Sequence, residues 1–295
     1  TKLNLRGNHL RGELGCEALA KALSPALSST SSFLSSSSSS MSALQVLDVS
    51  ENNLGNAGAA ALGRLLSANP TALQELHTES CDMTGAGVAA LAQGLRQNTR
   101  LREWNLCHNA VDTKAAKVVA NMLECDKSLT SLNLSGCSVS DESAASLATA
   151  LTDNEMLQEL ALSFNRIGNV GVKALADMLP STRLSAFSLQ FNLFDNYGLE
   201  YFFTGLAPTV YLRDLFVMNA LSYSNKTDTC MGKVVHYLSL NRAGRRCLQE
   251  AHPVEASIWP NILQRADDHY GANALFYLLR EQPDLVAVKA ARTQK

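Results

Sequence analysis

Between residues 157 and 168 the chain reads LQELALSFNRIG, with apolar side chains at Leu157, Leu160, Leu162 and Ile167 and an asparagine at Asn165. The same skeleton recurs as LREWNLCHNAV at 101–111 and LTSLNLSGCSV at 129–139. Aligned on that asparagine, the equivalent positions are Asn8, Asn52, Cys81, Asn109, Cys137, Asn165, Asn192 and Ala220. Their successive spacings are 44, 29, 28, 28, 28, 27 and 28 residues. A fixed period of this size marks a solenoid and outranks any local reading of helix or strand.

Each unit has two halves. The first follows LxxLxLxxN/CxL, as in Leu44, Leu47, Val49, Asn52 and Leu54. Alternation at its second and third apolar positions predicts a short strand with one face inward. The second half carries a small residue six places after the aligned position: Gly58, Gly87, Ala115, Ser143, Gly171 and Gly198. Apolar residues follow at a spacing of four, as in Leu62 and Leu66 or Leu91 and Leu95, which puts both on one helical face. One strand and one helix per repeat predict an α/β solenoid with parallel strands inside and helices outside. Helices are wider than strands, so the stack curves into a horseshoe with the strands on its concave face.

The aligned asparagine sits where the chain leaves the strand and the backbone loses its ladder partners. A buried Asn amide there donates and accepts to the loops of its own and the neighbouring repeat. Each group so satisfied avoids a penalty of roughly 1–3 kcal/mol. Asn8, Asn52, Cys81, Asn109, Cys137, Asn165 and Asn192 are therefore read as a structural ladder, cysteine serving as a small weak donor.

The excess length of the first spacing is the tract SSTSSFLSSSSSS. Residues 28–41 hold too little apolar content to order by burial, and are expected to form a disordered insert. The repeat domain then occupies 1–222, as eight repeats of which the first is truncated. Residues 223–295 leave the pattern. SIWPNILQRA reads as a helix start with Pro260 in its first turn, and ANALFYLLREQP as a second helix ending before Pro283. A helical cap over the exposed end of the last repeat is the expected role.

Composition narrows the function. The net charge is −2 and the pI about 6.3, which argues against a nucleic-acid protein working by phosphate attraction. The seven cysteines are scattered without a CxxC pair, the pattern of reduced thiols in the cytoplasm. No run of about 18 apolar residues suggests a membrane span. The chain opens inside a repeat at Thr1, as a fragment would. Neither a GxSxG elbow nor a metal-ligand spacing occurs, so the expectation is a non-enzymatic protein with no catalytic residues, no metal and no cofactor.

Two groups of side chains are expected on the concave face. Asp48, Glu75, His77, Glu79 and Glu103 fall on neighbouring strands, extended by Glu51 and Asp82. This acidic area suits a partner with a basic segment, or is an ordinary solvated face. Phe164, Phe191, Phe216 and Met218 form an apolar patch further along, with Leu193 and Leu221 beside them. Either a partner or the chain's own tail, through Trp259 or Phe276, would cover it.

The motif, its period and its amphipathic helix resemble the ribonuclease-inhibitor-like class of leucine-rich repeats, used also by NLR receptors and the Ran GTPase-activating protein. The alternation Asn52, Cys81, Asn109, Cys137 is especially similar to that class. The tail, with LNRAGR, WP and FYLLRE, is similar to tails of algal leucine-rich-repeat proteins. The resemblance implies a protein-interaction scaffold, acting as a monomer and binding a protein through its concave face. Two alternatives accompany it: a GTPase-activating or regulatory protein of the Ran-activator type, and the sensor half of an NLR-like receptor. No GxxxxGK[ST] loop and no long acidic tail is present, so each lacks a part within these 295 residues.

Overall fold

The computed structural model describes residues 2–23, 44–67, 73–96, 98–217, 234–235, 237–242 and 264. The Ser-rich insert at 28–41, Met218, Leu221, Trp259 and Phe276 lie outside the described residues, as does most of the 223–295 region. Eight three-residue strands run along the chain: β1 (Lys2–Asn4), β2 (Val46–Asp48), β3 (Glu75–His77), β4 (Glu103–Asn105), β5 (Ser131–Asn133), β6 (Glu159–Ala161), β7 (Ala186–Ser188) and β8 (Asp214–Phe216). A helix follows each of the first seven: α1 (Gly12–Leu23), α2 (Gly55–Ser67), α3 (Gly85–Leu95), α4 (Thr113–Cys125), α5 (Asp141–Thr152), α6 (Asn169–Met178) and α7 (Asn196–Leu206). The strands pair in parallel, in sequence order, as one sheet. The architecture is an α/β leucine-rich-repeat solenoid, open and unclosed.

The core lies between the sheet and the helices. The middle residue of each strand enters it, in unbroken register through Leu47, Leu76, Trp104, Leu132, Leu160, Phe187 and Leu215. From the helices come Leu62 and Leu66, Leu91 and Leu95, Leu147 and Leu151, all buried. Flanking strand residues point the other way, and they form the concave surface.

The small residue six places past the ladder has a physical reason. A Cβ on Gly87 would lie 2.6 Å from Asn56 Oδ1, and one on Gly171 2.6 Å from Asp141 Oδ1. Those oxygens are in use. Asn56 accepts from the Thr84 and Gly87 amides of the next repeat, and Asp141 from Gly168. The first turn of each such helix thus caps its successor, and the small residue leaves room for the cap.

A third set of polar side chains holds the far end of the repeat. Asn98, Asp126 and Asn154 are buried at a spacing of 28. Each turns its Oδ1 onto the two amides leading into the next strand. Asn98 and Asn154 also donate to Leu66 and Leu123 carbonyls one repeat back.

Beyond β8 the described residues 234–235 and 237–242 are helical. Val234, Leu238 and Leu240 are buried, and Asn241 donates to the carbonyls of Thr209 and Leu212. Arg242 bonds Asp214 at 2.6 Å. This piece therefore packs as the continuation of the array.

Candidate partner-binding face

The ladder positions come first, because they fix the loops that frame the face. Asn109 donates to the carbonyls of Thr78, Leu106 and Cys107, and its Oδ1 accepts from the amides of Cys81 and Met83. Asn165 repeats the arrangement with Leu134, Leu162 and Ser163 as acceptors and Cys137 and Val139 as donors. Asn52 donates to Leu5, Val49 and Ser50 and accepts from Leu10. Asn192 donates to Leu162 and Leu189 and accepts from Ile167. Asn8, at the exposed start of the array, donates to the carbonyl of Arg6.

Cys81 and Cys137 donate through sulfur to the carbonyls of Val49 and Leu106, one repeat back. Burial pushes both thiols up to about 12, from 9.0. The sign follows. A thiol pKa higher in the fold than in the open chain stabilises the fold fully below about pH 9, and that contribution is lost as pH rises towards 12. At pH 8 both are protonated and shielded, whereas Cys125 is exposed. We expect iodoacetamide to label Cys125 in the native protein, and Cys81 and Cys137 only on unfolding. Peptide mapping by mass spectrometry checks this.

On the concave surface the structure divides the predicted acidic area. Asp48 is buried, and its carboxylate accepts from the Ser50 amide at 3.0 Å. Asn4, Asn105 and Asn133 do the same two residues on, so the fifth motif place is a turn-forming position in four repeats. Arg6 reaches across from the first repeat to Glu51 at 2.7 Å and Glu79 at 3.1 Å. Those bonds, to Glu79 first and Glu51 second, raise the Arg6 guanidinium above its ordinary value.

What stays open is the row at the third place. Glu75 and Glu103 flank His77, whose Nε2 and Nδ1 lie 3.6 and 4.0 Å from them. Glu159 accepts from the Ser131 hydroxyl at 3.2 Å. Among the described residues no lysine or arginine pairs with these three carboxylates. A hollow of about 240 Å³ opens between Glu103 and Glu159. Small residues Ser131, Ala161, Ala186 and Ser188 form its floor, and Phe216 borders it.

Of the predicted aromatics only Phe216 lines the hollow. Phe164 and Phe191 stack with centroids 4.5 Å apart and planes at 17°, and remain 58% and 49% exposed. Phe216 is 50% exposed, and Leu193 is exposed beside them. Met218, expected in the same patch, lies outside the described residues. The backbone explains the placement of the stack. Among the described residues the one before the ladder is left-handed in all seven repeats: Gly7, Glu51, Ser80, His108, Gly136, Phe164 and Phe191, with φ from 51° to 68°. A side chain there is thrown outward from the turn. For a residue other than glycine, asparagine or aspartate the conformation costs roughly 1–2 kcal/mol.

Among the described residues no helix is long and apolar enough to cross a membrane, and no group of three His, Cys, Asp or Glu is placed to hold a metal ion.

The Leucine Rich repeat family matches residues 41–63, 126–148 and 153–176. The chain is 36% identical to the mouse (Mus musculus) ribonuclease inhibitor over 137 residues, 46% of this chain and 30% of that protein. It is 32% identical over 147 residues to mouse NACHT, LRR and PYD domains-containing protein 14, 50% of this chain and 15% of that protein. It thus spans a third or less of the length of these relatives. Among solved structures, the tropomodulin C-terminal domain of Caenorhabditis elegans aligns with a TM-score of 0.43 at 15% identity, covering 65% of this chain and 99% of that one. Period, ladder chemistry and the family match agree on the fold: the chain carries leucine-rich repeats, and about half of it is similar in sequence to ribonuclease inhibitors and to NACHT, LRR and PYD domains-containing proteins.

Proposed function

We propose that the array is a non-catalytic protein-binding module that takes a basic segment of a partner protein on its concave face, as a monomer. The row Glu75, Glu103 and Glu159 carries this reading. Glu75 and Glu103 stand opposite each other on the paired strands β3 and β4, where like charges disfavour the sheet, Glu159 lies two strands further on beyond Ser131, and the core needs nothing from these positions. Their use lies in an opposite charge from outside. The similarity to ribonuclease inhibitors supports a protein as the ligand. Five described cysteines are free, which supports a reducing compartment and so the cytoplasm.

A second reading has an observation of its own. Similarity to several NACHT, LRR and PYD domains-containing proteins supports the array as the sensor half of a larger receptor. Sequencing the gene upstream of Thr1 tests it, a nucleotide-binding domain being the expected result.

The first reading is tested by reversing Glu75, Glu103 and Glu159 to lysine and capturing partners from native lysate. Glu79 is left alone because it holds Arg6. We expect capture of a basic protein to fall about tenfold or more with the variant, as hot-spot losses do. Equal capture by both chains sinks the proposal.

A further inference from the structure

The stacked pair Phe164 and Phe191 is poorly explained by the fold. Both residues occupy the left-handed position at which Gly7 and Gly136 stand in other repeats. Their rings are half exposed, so they return little buried surface. A position that favours glycine instead carries a large aromatic, twice in succession, and the two rings meet. Phe216 faces the same end of the array and also borders the hollow between Glu103 and Glu159. The lining of that hollow contains two carboxylates and no basic residue. The stack and the hollow are linked through one repeat, in which Glu159 lines the hollow and Phe164 follows five residues later.

We propose that this end of the face anchors an extended segment of the partner, with a lysine or arginine in the Glu103–Glu159 hollow and a large apolar side chain on the Phe164–Phe191 stack. The inference rests on the concave-face reading above and adds to it the partner's motif. Charge complementarity selects the first residue, and the exposed rings select the second. Glu159 and Phe164 belong to one repeat and are five residues apart in the chain. Fully extended, that segment spans at most about 17 Å. A partner strand rising about 3.3 Å per residue covers it in about five residues. The motif is therefore a cationic residue within about five positions of an aromatic or large aliphatic one.

The test selects random linear peptides by phage display on the intact chain. Recovered peptides are then measured by fluorescence anisotropy against two variants. One is Phe164→Asn with Phe191→Asn, asparagine being at ease in the left-handed region. The other is Glu103→Gln with Glu159→Gln. We expect recovered peptides to carry the motif, and both variants to weaken them about tenfold or more. The asparagine variant should also melt within about 3 °C of the parent, because the fold does not depend on the rings. A larger drop in melting temperature makes the stack structural and overturns the proposal. Peptides held equally by the asparagine variant but lost to the glutamine variant overturn it too, and leave the concave-face reading standing. Peptides held equally by both variants remove both readings. A library that yields no binder counts against the proposal in the same way.

Discussion

Replacing Asn109 by alanine is expected to destabilise the array by about 3 kcal/mol or more, since two buried amides lose their acceptor at roughly 1–3 kcal/mol each. Those amides belong to Cys81 and Met83, one repeat back from the side chain that serves them. Three carbonyls lose a donor as well. A repeat array is held by the interfaces between neighbours, so a loss spanning two repeats weakens the link that transmits cooperativity. Urea unfolding followed by far-ultraviolet circular dichroism reads the effect. Asn109→Cys makes the test sharper. Cys81 and Cys137 show that a thiol at this position can donate one repeat back. It does not accept as an amide oxygen does. We therefore expect Asn109→Cys to fall between parent and Asn109→Ala, recovering donors and leaving the Cys81 and Met83 amides bare. If cysteine matches the parent, the acceptor half of the asparagine is dispensable.

That directional chemistry shows how far the sequence could be read. The strands, the helices and the ladder repeat with the period, so each is sampled many times and local noise averages out. Asn98, Asp126 and Asn154 recur at the same period in three successive repeats, but they lie after one repeat's helix and before the next repeat's strand, outside both halves of the motif. Of the turn-forming Asn4, Asp48, Asn105 and Asn133, the spacing placed Asp48 on the binding face, and its carboxylate is turned to its own loop. Features that occur once are less legible. Arg6 lies 45 residues from Glu51 and 73 from Glu79, and only the stacking of the first three repeats brings them together. The left-handed row leaves no compositional trace, since it holds Gly, Glu, Ser, His and Phe alike. The apolar patch was visible as a set of exposed phenylalanines, whereas their stacking depends on the rise from one strand to the next.

Gly94 is the other position where a small change carries a large effect, and the repeat template conceals it. The equivalent residues of α2, α4, α5 and α6 are Leu65, Met122, Ala150 and Met178, all buried, while α7 has Gly205, where an added Cβ would likewise meet backbone, 2.4 Å from the Ala176 carbonyl oxygen. By pattern alone a larger residue is welcome there. The structure says otherwise. A Cβ on Gly94 would lie 2.1 Å from the carbonyl oxygen of Gly63, and 2.4 and 2.5 Å from its Cα and carbonyl carbon. All three atoms are backbone, so no rotamer change relieves the contact, and α2 and α3 must move apart. Alanine in a helix is intrinsically favoured over glycine by about 1 kcal/mol, while forced overpacking typically costs about 1–3 kcal/mol. Here the obstruction is a main chain, and the upper part of that range applies. We expect Gly94→Ala to lower stability by about 2 kcal/mol net, and Gly94→Met, the residue that α4 carries at this place, to disrupt the α2–α3 contact outright. Thermal melts give the first value. Hydrogen exchange on α2 and α3 reads the second, with protection lost there and kept in α5 and α6. An alanine variant as stable as the parent would mean that the two helices can separate at no cost, and that their close approach is incidental.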